Sequence, residues 1–339
     1  MKTHNQYWII AALAGIAIIA FAMIGCSRSV PSNQLTQITL QLKWTYNAGF
    51  VGDLVAKDKG LWKEQGLDVQ IRPGGPGITP VKVVTSGDAQ FGVATGDQLL
   101  LAAEDGNPVI AVALAYNKNP LAWIVRGESK INSAADFKGK KIGLSFIDDE
   151  PLFNAMMARV GLDPKKDVQV VPVKFDTSPF LRKEVDGFPI FRNTQGIELA
   201  SELRKQGVET KTIGPADEGL VSYSNLYFTT NDYLNQHPEV VKAFVAGALK
   251  AWEYAQAHPD EAATIVAKYD KDNQLDIIKQ EVVSTDALIK PSPTDHIGNM
   301  TREGWSSTQD ILMKSQQLKK PLELDRLFTN RYVDEYYKH

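Results

Sequence analysis

Cysteine is almost missing from this chain: Cys26 is the single one in 339 residues. An intrachain disulfide is therefore excluded, and so is any cysteine cluster for a metal or a redox couple. Histidine is scarce too, at positions 4, 237, 258, 296 and 339, with no H-x-x-x-H or H-E-x-x-H spacing. No zinc site or histidine-activated nucleophile is thus encoded in motif form. His237 and His258 each precede proline where helices meet, which reads as a capping or solvent-exposed role. No serine stands in G-x-S-x-G, so the sequence gives an enzyme no positive support. The formal net charge of −3 includes no basic excess to recruit nucleic acid and no long block of one sign. Short-period repeats and low-complexity segments are missing as well.

What is present begins with Lys2 and His4, followed by the apolar run WIIAALAGIAIIAFAMI and then Gly25-Cys26-Ser27. This reads as an export signal over residues 1–25. An uncleaved anchor is the alternative, because roughly 18 apolar residues begin to span a bilayer. Either reading places the body outside the cytoplasm, in a periplasm or on a cell surface. MIGC resembles a bacterial lipobox, with Met23 where leucine is commoner, so Cys26 is the expected lipidation site and residues 26–37 the expected tether.

From residue 38 short apolar strands alternate with amphipathic helices: ITLQLKW, LDVQI, AQFGVAT and PVIAVALAY as strands, with helices between them. LAWIVR leads into a second run of the same kind, and NLYFTT precedes a tail that is almost wholly helical. Such spacing predicts an α/β protein of two doubly wound lobes with largely parallel sheets. A helical tail without a sheet of its own must pack on an earlier one, and the economical choice is the first lobe. Lobe one is then 38–124 with 226–339, lobe two is 125–225, and strands near 122–126 and 225–229 make the two crossings.

The stretch RPGGPG, between a strand and a helix, invites a phosphate loop. It lacks both the Lys-Ser/Thr ending and the G-x-G-x-x-G spacing. Two compatible readings stay open: a tight turn set by Pro73 and Pro76, or a bare backbone at Gly74 and Gly75 approaching a ligand. The acids at 148–150 either bind a divalent cation or sit at the positive end of a helix, and no metal is expected. Polar and aromatic side chains recur where strands end: Trp44, Asn47 and Phe50; Thr95 and Asp97; Tyr116 and Asn117. The second lobe offers Ser145, Asp148 and Glu150, then Phe191, Asn193 and Gln195. Facing sheets would gather these along one cleft suited to a small planar or polar ligand. The arginines near it are Arg72, Arg126 and Arg192.

The segments LKWTYNAGFVGDLVAKDKGLWKEQGLDVQIRPGGPG, VTSGDAQFGVATGDQLLLAAEDGNPVIAVALAYNKNPLAWIV, DFKGKKIGLS, VDGFPIFRNTQGIEL and PEVVKAFVAGALKAWEYAQAHPDEAATIVAKY together resemble one family. It is that of the substrate-binding proteins of ABC importers, in the branch of taurine, nitrate and NMT1/THI5-like thiamine-precursor binders. The resemblance implies a type II periplasmic-binding fold closing on its ligand by hinge motion, and partnership with a permease and an ATPase. It further implies a monomer without a cofactor. The resemblance puts pocket walls at Trp44, Asn47 and Phe50, at Gly74 and Gly75, at Thr95-Gly96-Asp97, and in the turn after Gly143. Pyrimidine binders of the family tend to carry a carboxylate where Gln195 stands, and glutamine offers hydrogen bonds without charge. A thiamine-pyrimidine precursor or related heteroaromatic leads, with sulfonate or nitrate as the alternative. Eukaryotic relatives synthesise the pyrimidine using a lysine, a histidine and a cysteine cluster, and the last is missing here.

Overall fold

Alternation along LDVQIR buries Leu67, Val69 and Ile71 and turns Gln70 and Arg72 to solvent, the signature of a strand with one face covered. LAWIVR is buried along its whole length, as a strand covered on both faces must be. The computed structural model describes residues 35–145, 150–174, 176–289 and 296–338. The apolar leader, Cys26 and Asp148 lie outside them.

Among the described residues the strands are β1 (Thr36–Gln41), β2 (Leu67–Arg72), β3 (Phe91–Ala94), β4 (Val109–Tyr116), β5 (Leu121–Arg126), β6 (Lys141–Leu144), β7 (Gln169–Pro172), β8 (Gly187–Phe191), β9 (Thr210–Ile213) and β10 (Ser224–Thr230). The helices are α1 (Val51–Asp58), α2 (Pro80–Thr85), α3 (Gly96–Glu104), α4 (Glu150–Arg159), α5 (Ser178–Leu181), α6 (Gln195–Lys205), α7 (Asn231–Gln236), α8 (Pro238–Ala257), α9 (Pro259–Val266), α10 (Leu275–Ile289), α11 (Arg302–Lys314) and α12 (Arg331–Tyr337).

Two five-stranded sheets run in the orders β2-β1-β3-β10-β4 and β7-β6-β8-β5-β9. The orders are the same arrangement used twice: three parallel strands, one antiparallel insert, and a last strand. The inserts, β10 and β5, are the two strands expected to cross between lobes. Each belongs wholly to one sheet, so the crossings are made by residues 117–120 and 214–223, which carry no strand. β1 starts two residues before the expected edge of the lobe, with Thr36 and Gln37 already paired to Leu67 and Asp68.

The tail returns to the first sheet, as expected. Ala111 and Leu114 on the last strand donate backbone N–H groups to Leu327 and Gly298, which covers an edge that would otherwise be open. Phe244 on α8 stacks on Phe91 at 3.8 Å and on Trp62 at 5.4 Å, in a core that holds α1 and α8 against β1 and β3. Trp123, Phe137 and Phe153 form the corresponding aromatic core of the second sheet. Two tail helices reach beyond the first sheet: α10 packs on α6, and α11 lies between α3 and α4 with Ile311 in the second sheet's core.

Candidate functional site

The turn after β1 is built by Asn47. Its Oδ1 accepts from the Gly49 N–H at 2.8 Å and starts a single 3-10 turn over Ala48–Phe50. That turn aims the Gly49 carbonyl at two donors from neighbouring strands, the Tyr116 hydroxyl at 2.7 Å and Asn225 Nδ2 at 2.9 Å. Asn225 holds φ +49, a left-handed conformation that asparagine tolerates better than most residues.

From the second sheet, the segment after β8 brings Phe191, Asn193 and Thr194 to the same place. With Lys43, Trp44, Asn47, Gly49, Phe50, Tyr116, Pro120 and Asn225 they line a cavity of about 20 Å³ between the sheets. That is room for about one water. Lys43 Nζ lies 5.1 Å from the Phe191 ring centre and donates to Ser224 Oγ at 3.3 Å. Asn193 is 2% exposed, and its Nδ2 donates to Thr285 Oγ1 on α10 at 2.9 Å and faces the Tyr116 oxygen at 3.5 Å. Among the described residues its Oδ1 is buried without a donor. A buried acceptor left unmatched costs about 1–3 kcal/mol, a cost that a ligand N–H would remove.

A larger cavity, about 130 Å³, lies beyond Thr285 between α1, α8, α9 and α10, lined by Val51, Ala255, Val282 and Ile289 among others. Its walls all come from the half built on the first sheet. The smaller cavity is the candidate site because both halves supply its walls.

Beneath the first wall Asp53 is 1% exposed and accepts from the Tyr227 hydroxyl at 2.5 Å, while Trp252 Nε1 donates to that same hydroxyl. Burial pushes the Asp53 carboxyl up to about 7, with the Tyr227 bond opposing it. Burial also drives the phenols of Tyr116 and Tyr227 above their usual range, so both stay neutral donors.

Of the residues singled out in the sequence, Trp44, Asn47, Phe50, Tyr116, Phe191 and Asn193 are brought together here. The glycine loop is not among the lining residues. The Gly74 N–H donates to the Trp44 carbonyl at 2.9 Å, and a Cβ there would stand 2.4 Å from the Leu42 oxygen, so that glycine serves a close approach between two loops. Gly75 is buried at φ +148. The Thr95 N–H donates to Gln98 Oε1 at 3.3 Å in the cap of α3, next to Asp97 in its first turn. Asn117 Nδ2 donates to the Ile289 carbonyl, which fastens the end of α10. Ser145 follows β6, and Glu150 and Gln195 open α4 and α6, outside the lining.

The three arginines are engaged elsewhere. Arg72 donates to the Asp88 carbonyl, Arg126 to the carbonyls of Phe180 and Leu181, and Arg192 grips Asp217 with both terminal nitrogens at 2.9 and 2.6 Å. Sequence reasoning missed Lys43, Gly49, Asn225 and Thr285. Lys43 had a signal, since it lies just past the end of β1 beside Trp44. Thr285 had none, because tertiary packing alone selects it from a long helix. Among the described residues no group of three or more His, Cys, Asp or Glu is arranged to hold a metal ion.

Known proteins fit this architecture. A Haemophilus influenzae protein named for thiamine biosynthesis is 30% identical over 80% of this chain and 85% of its own. The formylaminopyrimidine-binding protein of Halalkalibacterium halodurans is 25% identical over 96% and 99%. A Legionella pneumophila protein named 4-amino-5-hydroxymethyl-2-methylpyrimidine phosphate synthase is 23% identical over 90% and 94%. Among solved structures, the periplasmic aliphatic sulphonate binding protein of Escherichia coli superposes with a TM-score of 0.69 at 16% identity, covering 86% of this chain and 91% of its own. The periplasmic nitrate-binding protein of Synechocystis gives 0.69 at 12%, covering 90% and 89%. These likenesses establish the type II periplasmic-binding fold. The profile of the NMT1/THI5-like family matches residues 47–262, and the chain belongs to that family.

Proposed function

We propose that the chain is an extracytoplasmic solute-binding protein of an ABC importer. It captures a small flat heteroaromatic ligand, first of all a thiamine-pyrimidine precursor, and presents the closed form to a permease and its ATPase. The observation that carries this reading is the cavity itself. Trp44 and Phe191 supply aromatic walls from opposite halves, and Asn193 holds a buried acceptor that none of the described residues satisfies. A heteroaromatic ring bearing an N–H matches both. Entry requires the halves to part, because the closed cavity has room for about one water. Residues 38–116 with 224–338 move as one lobe and 121–213 as the other, hinged at 117–120 and 214–223. Lipidation of Cys26, following removal of residues 1–25, anchors a monomer to the membrane.

Sulfonate or nitrate ranks second, favoured by Lys43, the single cation among the lining residues. A lone ammonium on a flexible stem is a weaker anion clamp than a guanidinium fork, and the nearby arginines are committed to other partners. Binding without turnover is the proposed activity. Mass spectrometry of small molecules released from protein purified without refolding tests the reading. A heteroaromatic in stoichiometric amount supports it. Release of a sulfonate, or conversion of the released compound on prolonged incubation, contradicts it.

A further inference from the structure

Glu281 on α10 is a buried acid that the ligand site does not use. It is 0% exposed, and among the described residues no N–H or hydroxyl donor reaches either of its carboxyl oxygens. What does reach it is a second carboxyl, that of Glu198 on α6, at hydrogen-bonding contact. Two acids can make such a contact only with a proton between them. Apart from Lys279, the groups near the pair are also acidic or neutral. Asn273 Nδ2 donates to Glu198 Oε1 and to Asp270 Oδ2, at 3.1 Å each, and Asp270, 5% exposed, accepts from the N–H groups of Asp272 and Asn273. From β4 the Tyr116 phenol feels the charge of Glu281, and the Ala48–Phe50 turn against α10 carries no titratable group. The nearby ammonium of Lys279 is paired with Asp260 at 2.8 Å. With that ammonium committed to Asp260 and no metal-binding arrangement among the described residues, the remaining neutraliser is a proton.

Its position gives the pair leverage. Glu281 stands one turn before Thr285 on the same face of α10, so the carboxyl contact and the Thr285–Asn193 bond are consecutive links between α10 and the second half. We propose that Glu198 and Glu281 share one proton, and that this proton clasps the two halves in the closed state. When base removes it to solvent, two carboxylates face each other across the seam and the halves separate. Burial and the neighbouring Glu198 push the Glu281 carboxyl up to about 9, which places the loss of the proton in alkaline solution. The inference rests on the two-lobe closure proposed above and deepens it.

The test needs no ligand, so its failure leaves ligand capture standing, and a chain that binds no tested compound still answers it. Spin labels carried on ketone-bearing residues introduced at Glu202 on α6 and Glu239 on α8 leave Cys26 unmodified in the full chain. Pulsed EPR distances are then followed from pH 6 to 10 in detergent. The expected wild-type result is a short distance that lengthens in the alkaline range. In Glu281→Gln the amide donates to Glu198 without titrating, so the transition is lost and the short distance persists. Glu198→Gln, at a partly exposed position, should behave likewise and serves if the first variant does not fold. An unchanging wild-type distance overturns the clasp, as does the same transition in both glutamine variants.

Discussion

Thr285 and Asn193, 92 residues apart, are hydrogen-bonded at 2.9 Å across the seam between the two halves. The neighbouring Tyr116 hydroxyl fixes which way the amide points. The Tyr116 hydroxyl spends its proton on the Gly49 carbonyl and so presents a lone pair, which the Asn193 NH2 must face. Oδ1 is thereby left as the acceptor for a ligand.

Replacing Asn193 with alanine should weaken ligand binding by about 10-fold or more, the equivalent of one buried hydrogen bond at about 1.4 kcal/mol per decade. Thr285→Val, which removes one acceptor of the amide and leaves Tyr116 to orient it, should cost less. Calorimetric titration of both variants with the ligand released from native protein checks the order.

The two glycines of RPGGPG should part company. A Cβ at position 74 meets the Leu42 and Lys43 backbone at 2.4 and 2.5 Å and would displace the loop that carries Trp44. Gly74→Ala should therefore lower both the melting temperature and the affinity. At position 75 an added Cβ meets nothing, and the cost is backbone strain at φ +148 of about 1–2 kcal/mol. Gly75→Ala should lower the melting temperature while ligand affinity at 25 °C stays within about threefold, which thermal melts and titrations together decide.

Asp53 should make stability fall as pH rises. Its folded-state carboxyl titrates near 7, whereas an unfolded aspartate titrates near its ordinary value of about 3.9. Between those values the folded chain holds the proton that the unfolded chain releases. The contribution is therefore fully present below about pH 4, is lost progressively up to about 7, and amounts to about 4 kcal/mol at most. Asp53→Asn should flatten that slope, as measured by urea unfolding at pH 4, 5.5, 7 and 8. A slope unchanged in the variant would move the titration to another group.

Lys43→Met separates the ligand classes. For a neutral heteroaromatic, wild-type affinity should be insensitive to salt, and the variant should lose less than about tenfold. An anion would show affinity falling steadily with ionic strength in the wild type and a larger loss in the variant.

Strand positions were legible because each sheet is assembled from short apolar runs between turn residues, and nearly every such run became a strand. Helix α11 was legible only within the helical tail and not as an element of its own, since REGWSSTQDILMK buries Gly304, Thr308 and Gln309 alongside Trp305, Ile311 and Leu312, and a polar buried face leaves little periodicity to read. In the candidate site, strand ends pointed to Trp44, Tyr116 and Asn193, yet the same rule pointed to Asn117, whose amide fastens α10 instead. Position along a strand is local information. The partner that claims each side chain is chosen by packing across the seam, which is why Thr285, Asn225 and the Glu198–Glu281 contact had no sequence signal.

The most direct measurement for the central claim is calorimetric titration of a formylaminopyrimidine into the full chain and into Asn193→Ala. The account expects saturable binding at one site per chain in the wild type and a loss of about tenfold or more in the variant. Equal affinity in both proteins would contradict it, because the buried Asn193 acceptor between the two halves would then play no part in holding the ligand.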